Sequence, residues 1–364
     1  MSAKDPWRRS ARCAESREVY GTDGTLGDFR SDTVTVADAR MREAMASAAV
    51  GDDFYGEDPT VAELEGAVAD LVGKPAGVFV PNGTMANTIA VLALSVGDQV
   101  VTHERSDIHM WEAHTLARVA RSQTLPLPGE RGLLDLDALR TALRATDPYA
   151  PRAGVVCIEN THSASGGCCW PLDRVDAVAD LCAEHGVPLF CDGARLFNAA
   201  VAGGYRADQA VARCAAVAVS LYKGLGAPVG SVLCGEHELV DEARALRRTL
   251  GCTFRQIGHV AAAGLVSLEN IGRLVDDHRL ARALWDELRS VLPAAVMGDP
   301  PQTNIVTFEL ADDAPRVVER LAADGVRVTE VVPGVVRFVT HRDVDEADVA
   351  TAAVAMKSAL GGTR

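Results

Sequence analysis

Lys223 stands in the run Ser220-Leu-Tyr-Lys-Gly-Leu-Gly-Ala-Pro-Val-Gly-Ser231, directly after the apolar residues 215–219. Glycines and small residues leave room there for a flat, bulky group close to the backbone. Burial disfavours an ammonium and favours the neutral amine, which can form a Schiff base with an aldehyde. The alternative is a solvated loop lysine. Asp192 closes a second apolar stretch, residues 187–191. A carboxylate in that position needs a partner, because an unpaired buried charge is costly. A protonated pyridine nitrogen is one such partner; Arg195 or the amides of a helix start are the others. Asn82-Gly83-Thr84 follows a strand-like run and opens an apolar helical pattern. Its amides and hydroxyl suit a phosphate, or equally a plain turn with a cap. An aldehyde-binding lysine, a pyridinium partner and a phosphate site together describe pyridoxal 5'-phosphate.

The elements that must position these groups follow from the pattern of apolar runs. Strand-like segments at 77–81, 98–102, 154–159, 187–191 and 215–219 alternate with helical periodicity such as residues 175–184. That alternation predicts an α/β fold with a mostly parallel sheet, in which ligands sit beyond the carboxyl ends of the strands. Asn82-Gly-Thr84, Glu159-Asn-Thr-His162, Asp192-Gly-Ala-Arg195 and Lys223 all fall at such ends. A helical pattern over 271–291, strand-like 303–310 and 335–340, and helical 314–323 and 346–360 predict a smaller α+β domain. The expected division is a flexible extension at 1–27, a large α/β domain at 28–270 and a small C-terminal domain at 271–364. Residues 28–45 are expected to reach the small domain.

The chain has 364 residues and a net charge of −14, which argues against non-specific nucleic-acid binding. No apolar run approaches the ~20 residues of a membrane span, and the first residues lack a secretory signal's apolar core. Nine scattered cysteines, several inside apolar runs, suit a reducing compartment, so a cytoplasmic location is expected. The histidines show no metal-ligand spacing, and no metal is expected.

The chain resembles the threonine aldolase / aromatic amino-acid β-eliminating lyase family, of fold type I in the aspartate aminotransferase superfamily. The resemblance rests on Phe29-Arg-Ser-Asp-Thr-Val-Thr35, Val50-Gly-Asp-Asp-Phe-Tyr-Gly-Glu-Asp-Pro-Thr60, Asn82-Gly-Thr84, Glu159-Asn-Thr-His162, Asp192-Gly-Ala-Arg-Leu196, Lys223-Gly-Leu-Gly-Ala-Pro-Val-Gly230, Arg255-Gln256 and Arg337-Phe-Val-Thr-His341, in family order. It implies a large domain around a seven-stranded sheet and a homo-oligomer, dimer or tetramer, that shares sites across its interface. Lys223 is similar to the lysine that binds the cofactor covalently, and Asp192 to the partner of the pyridine nitrogen. Asn82, Gly83, Thr84 and Arg255 match phosphate ligands, Arg255 reaching in from a neighbouring subunit. Ser31, Arg195 and Arg337 match the groups that grip the substrate carboxylate, a task that suits a guanidinium fork. Tyr55 resembles a residue donated across the interface.

The resemblance fails around the expected substrate side chain. The family's ring-stacking histidine is replaced by Asp107, and the glycine pair after Glu112-Ala113 by His114-Thr115. Asp107 could act as a base toward a β-hydroxyl or simply start a helix. Trp111 or His114 offers a ring in place of the lost imidazole. Tyr149 stands where the family often has a second histidine, Tyr222 replaces a small residue, and Cys252-Thr-Phe254 replaces a glycine-rich stretch. The implied activity is retro-aldol cleavage of an L-β-hydroxy-α-amino acid, such as L-threonine or L-allo-threonine, to glycine and an aldehyde. Transaldol transfer, β-elimination and racemisation are the related alternatives, and a binding protein that has lost catalysis is the non-enzymatic one.

Overall fold

The computed structural model describes residues 27–95, 99–144, 149–289, 292 and 296–361. The expected N-terminal extension therefore falls almost wholly outside the described residues, as do residues 146–148 beside Tyr149.

Seven strands form the large sheet: β1 Ala76–Val80, β2 Gln99–His103, β3 Gln123–Leu127, β4 Ala153–Glu159, β5 Leu189–Gly193, β6 Ala216–Ser220 and β7 Ser231–Gly235. Their order is β1-β7-β6-β5-β4-β2-β3. Strands β3, β2, β4, β5 and β6 pair in parallel, and β7 runs antiparallel to both β6 and β1. Every strand expected in this region overlaps an observed one. Strands β3 and β7 are additions. Strand β3 is a partly exposed edge containing Pro126, a residue that sheets tolerate at edges. Strand β7 hides behind the glycine-rich loop that carries Lys223.

That loop is a hairpin connection. Ser220 pairs with Ser231, and Leu221 N–H donates to the Gly230 carbonyl at 3.0 Å. Gly230 sits at φ 114°, and a Cβ there would come 2.4 Å from the Phe79 ring. The return is thus closed to other residues by both conformation and space. Lys223 is held at the carboxyl end of β6 as a result.

A three-stranded antiparallel sheet, ordered β8-β10-β9, forms the second unit: β8 Ile305–Glu309, β9 Thr329–Val332 and β10 Val335–Val339. Its core joins Leu280, Leu284, Phe308 and Phe338 with Phe29 from the start of the described chain. Phe29 and Phe338 meet with ring centroids 5.8 Å apart. Burying such a ring contributes about 1.5–3 kcal/mol. Backbone bonds fix the same segment, Phe29 N–H to the Arg327 carbonyl and Val339 N–H to the Phe29 carbonyl, both at 2.8 Å. Ser31 and Asp32 are thereby set between the two sheets. Among the described residues, no helix is long and apolar enough to cross a membrane.

Candidate active site

The carboxyl ends of β4, β5 and β6 converge on one cleft. Asp192, at the end of β5, is buried. Its Oδ2 accepts from Asn87 Nδ2 at 2.8 Å and its Oδ1 from the Ala194 amide at 3.1 Å. Among the described residues no ion pair includes it. Burial raises its pKa, while the Lys223 charge nearby works in the opposite sense. Lys223 is half-buried, and Thr35 Oγ1 donates to its carbonyl at 3.3 Å. Its charge also favours ionised Asp32.

Arg195 does not pair with Asp192. It takes Asp32 instead, through Nε–Oδ2 at 2.8 Å and Nη2–Oδ1 at 2.7 Å. The Arg195 alternative for Asp192 is corrected by this geometry, since the Nε–Nη2 edge of the guanidinium is taken by Asp32. Arg337 lies beside it. Both arginines reach Ser163 Oγ, Arg337 Nη1 at 3.1 Å and Arg195 Nη1 at 3.5 Å. Arg337 enters no ion pair among the described residues, and its Nε is buried without an acceptor. Burial and the Arg195 charge both push its pKa below the usual guanidinium value. Ser31 caps the short turn Asp32–Val34, its Oγ accepting from the Thr33 amide at 3.2 Å.

Acids line the rest of the cleft. Glu159, at the end of β4, accepts from the amides of Ser163 and Asp107, each at 2.7 Å. Burial, then the charges of Asp107 and Asp192, hold its carboxyl well above the usual range. Asp107 is the first residue of the short helix Asp107–Met110, whose N-cap is Ser106. Its charge is felt at Arg195, Arg337, Asp192 and Glu159. Glu112 is buried near Asn87 and Asp192. His162, by contrast, is neutral: burial, then His103, lowers its pKa to about 3, and it packs edge-on against the His103 ring at 4.7 Å.

Asn82, Gly83 and Thr84 open the twelve-residue helix Gly83–Leu94. Asn82 Oδ1 accepts from the Met85 amide at 2.9 Å, and the Gly83 amide donates to Tyr222 Oη at 3.2 Å. A Cβ on Gly83 would lie 3.3 Å from Ser220 Oγ and 3.5 Å from Tyr222 Oη. Small size is therefore what keeps this polar corner open.

Within one chain the structure gathers Lys223, Asp192, Arg195, Arg337 and Asp107 into one group linked by charge and by Ser163, with Ser31 beside Asp32 and Asn82–Thr84 opening the helix that brings Asn87 to Asp192. It does not bring Tyr55, Arg255, His114 or Tyr149 into it. Tyr55 is 68% exposed and Tyr149 95% exposed. The Arg255 side chain is 63% exposed, paired with Asp52 at 3.0 Å and set over the Phe54 ring. His114 is exposed on the short turn Ala113–Thr115, and Trp111 is 53% exposed. Sequence reasoning missed Asp32, Asn87 and Ser163, and gave Glu112 and Glu159 no role. Asp32 lay inside a quoted motif, where its need for a cation was the available signal. Asn87 and Glu112 read as ordinary helical residues, and only the fold shows that they touch.

Residues 28–313 match the model of the beta-eliminating lyase family. The chain is similar to the probable low-specificity L-threonine aldolase 2 of Arabidopsis thaliana, with 39% identity over 88% of this chain and 94% of that protein. It is also similar to the low specificity L-threonine aldolase of Escherichia coli K12, with 34% identity over 92% of this chain and 99% of that protein. In three dimensions it resembles the Leishmania major threonine aldolase, with TM-score 0.78, 20% identity and coverage of 91% and 99% of the two chains. A putative L-allo-threonine aldolase of Listeria monocytogenes superimposes with TM-score 0.75, 23% identity and coverage of 92% and 97%. These structural likenesses show the fold, which is the fold-type-I α/β arrangement.

Proposed function

Because this chain belongs to the beta-eliminating lyase family, we propose that it is a carbon–carbon lyase that cleaves an L-β-hydroxy-α-amino acid, such as L-threonine or L-allo-threonine, to glycine and an aldehyde. The observation that carries this reading is the pair of adjacent arginines on Ser163. One is paired with Asp32 through Nε and Nη2, and the other, Arg337, has no acid partner among the described residues. A half-buried guanidinium with an unpartnered Nε suits a substrate carboxylate.

Pyridoxal 5'-phosphate fits the residues present. Asp192 is a buried acid that receives two neutral donors and no cation among the described residues, so a protonated ring nitrogen completes it. Lys223 would hold the group covalently. Asn82, Gly83 and Thr84, with Arg255 from a neighbouring subunit, would hold its phosphate. When bound, the cofactor supplies an electron sink for a bond at Cα. Arg337 and Ser31, with the Arg195 Nη1 that Asp32 leaves free, fix the substrate carboxylate and so set which Cα bond is presented. Asp107 takes the β-hydroxyl proton, directly or through water. The exposed positions of Tyr55 and Arg255 support a homo-oligomer, read here as a tetramer, in which these residues serve the adjacent subunit. Cysteine usage supports the cytoplasm as its compartment.

The test is incubation of the cofactor-loaded protein with L-threonine, L-allo-threonine and L-phenylserine, reading glycine and aldehyde. Release from any of them is expected. A second reading, transaldol transfer, β-elimination or racemisation, is favoured by one observation: Asp107 stands where the family has a ring. No glycine release, with the cofactor spectrum still responding to amino acid, would put that reading first.

A further inference from the structure

One side-chain amide joins two buried acids in the cleft. Asn87 Nδ2 donates to Asp192 Oδ2 at 2.8 Å and to Glu112 Oε2 at 3.0 Å. Both hydrogens of the amide are thus committed, and its Oδ1 is buried without a partner. Thr84 also donates to Glu112. The charged groups facing Glu112 are Asp192 on β5 and Asp107 at the start of its helix, both acids. The Cys157 thiol on β4 lies near as well, and burial pushes it up and keeps it neutral. Lys223 relieves Asp192, while among the described residues no cation is one of the groups that weigh most on Glu112. Two buried carboxylates sharing one donor cannot both ionise cheaply. Burial, then the Asp192 charge, accordingly raises the Glu112 pKa to about 7.

Asp192 is also the residue read above as the partner of the ring nitrogen. We propose that Glu112 titrates against the cofactor ring: through the shared amide of Asn87, pairing of a protonated pyridine nitrogen with Asp192 drives the proton of the Glu112 carboxyl into solvent. The proton leaves an O–H of Glu112, and the charge it leaves behind is balanced by the cation now on Asp192. By reciprocity, ionised Glu112 favours the protonated ring. Glu112 is thus a positioning residue for charge, acting through Asn87 and Asp192 without touching the substrate. This inference rests on the pyridoxal phosphate reading.

The experiment adds pyridoxal 5'-phosphate to the full-length apoprotein in weak buffer and counts protons released per subunit, for the wild type and for Glu112→Gln. The carboxamide keeps an acceptor for Asn87. Protons from the cofactor itself are common to both proteins, so the difference reports Glu112. At pH 7 the wild type should release about half a proton more per subunit, and the excess should vanish by about pH 9, where Glu112 is already ionised. Equal release at pH 7 would overturn the proposal. Should the variant not fold, difference infrared spectra of the wild type alone decide: cofactor addition must remove a protonated-carboxyl band, and an unchanged band overturns the proposal. Failure of the premise looks different, because the wild type would then develop no visible absorbance at all.

Discussion

Arg195 and Asp32 hold each other through two parallel hydrogen bonds of 2.8 and 2.7 Å, and both side chains are buried. The pair ties the segment after Phe29 to the end of β5. Burial opposes ionisation of Asp32, but the Arg195 charge and hydrogen bonds, with the Lys223 charge and the Asn304 amide, together outweigh it and hold the carboxyl well below the usual range. Asp32→Asn leaves the guanidinium buried without its counter-charge and should cost about 3–5 kcal/mol, read from denaturant midpoints at pH 7. A depressed folded pKa gives stability that is present above the unfolded value of ~3.9 and lost as pH falls through the folded one. The gap between wild type and variant should therefore stay constant near neutrality and shrink only below about pH 4.

Arg337 is the complementary case, a half-buried guanidinium bonded to Ser163 Oγ at 3.1 Å with no acid partner among the described residues. Truncating one partner of a buried charge pair costs about 2–5 kcal/mol. Arg337→Gln should therefore raise KM for the amino acid by ~30-fold or more, with a smaller change in kcat. Arg337→Lys should not restore it, because a lysine cannot offer the fork. Steady-state kinetics of both variants, with circular dichroism to confirm folding, make the comparison.

Much of this arrangement was legible because strand ends announce themselves. The apolar runs before Asp192 and Lys223 stop abruptly, and a parallel sheet gathers such ends at one edge. Strand β7 was not legible, since its five residues follow a loop whose glycines carry the turn signal. Asp32 was visible as part of a motif, yet its partner could not be read: the separation of 163 positions from Arg195 carries no periodic link. The Asn87 bridge was hidden for the same reason. Asn87 looks like one polar residue on an apolar helix, and only the packing of that helix on the sheet gives it two acids. Tyr55 and Arg255 were placed by resemblance alone, and a single chain leaves both at the surface.

Asp107 separates binding from chemistry. Its amide is fixed on Glu159 at 2.7 Å, so Asp107→Asn keeps the backbone bond and removes only the base. General acid–base groups contribute about 10²–10⁴-fold. The variant should lose kcat by that range with KM little changed, while the cofactor spectrum still responds to added amino acid. A loss confined to KM would assign Asp107 to substrate binding instead.

Glu112 makes a prediction about stability that needs no substrate. Burial, then the Asp192 charge, raises its folded pKa to about 7, above the ~4.3 of an unfolded glutamate. A raised folded pKa gives stability that is complete below the unfolded value and lost as pH rises through the folded one. The wild-type apoprotein should therefore lose ground to Glu112→Gln between about pH 4 and 7 and melt below it at pH 8. Below about pH 4 the two should differ only by the amide substitution itself. Pyridoxal 5'-phosphate should narrow the gap at pH 8, because a cation on Asp192 removes the repulsion that penalises ionised Glu112. Thermal melts of both proteins across this pH range, with and without the cofactor, provide the measurement. Parallel curves across the range would show that Glu112 carries no proton of consequence in the folded apoprotein.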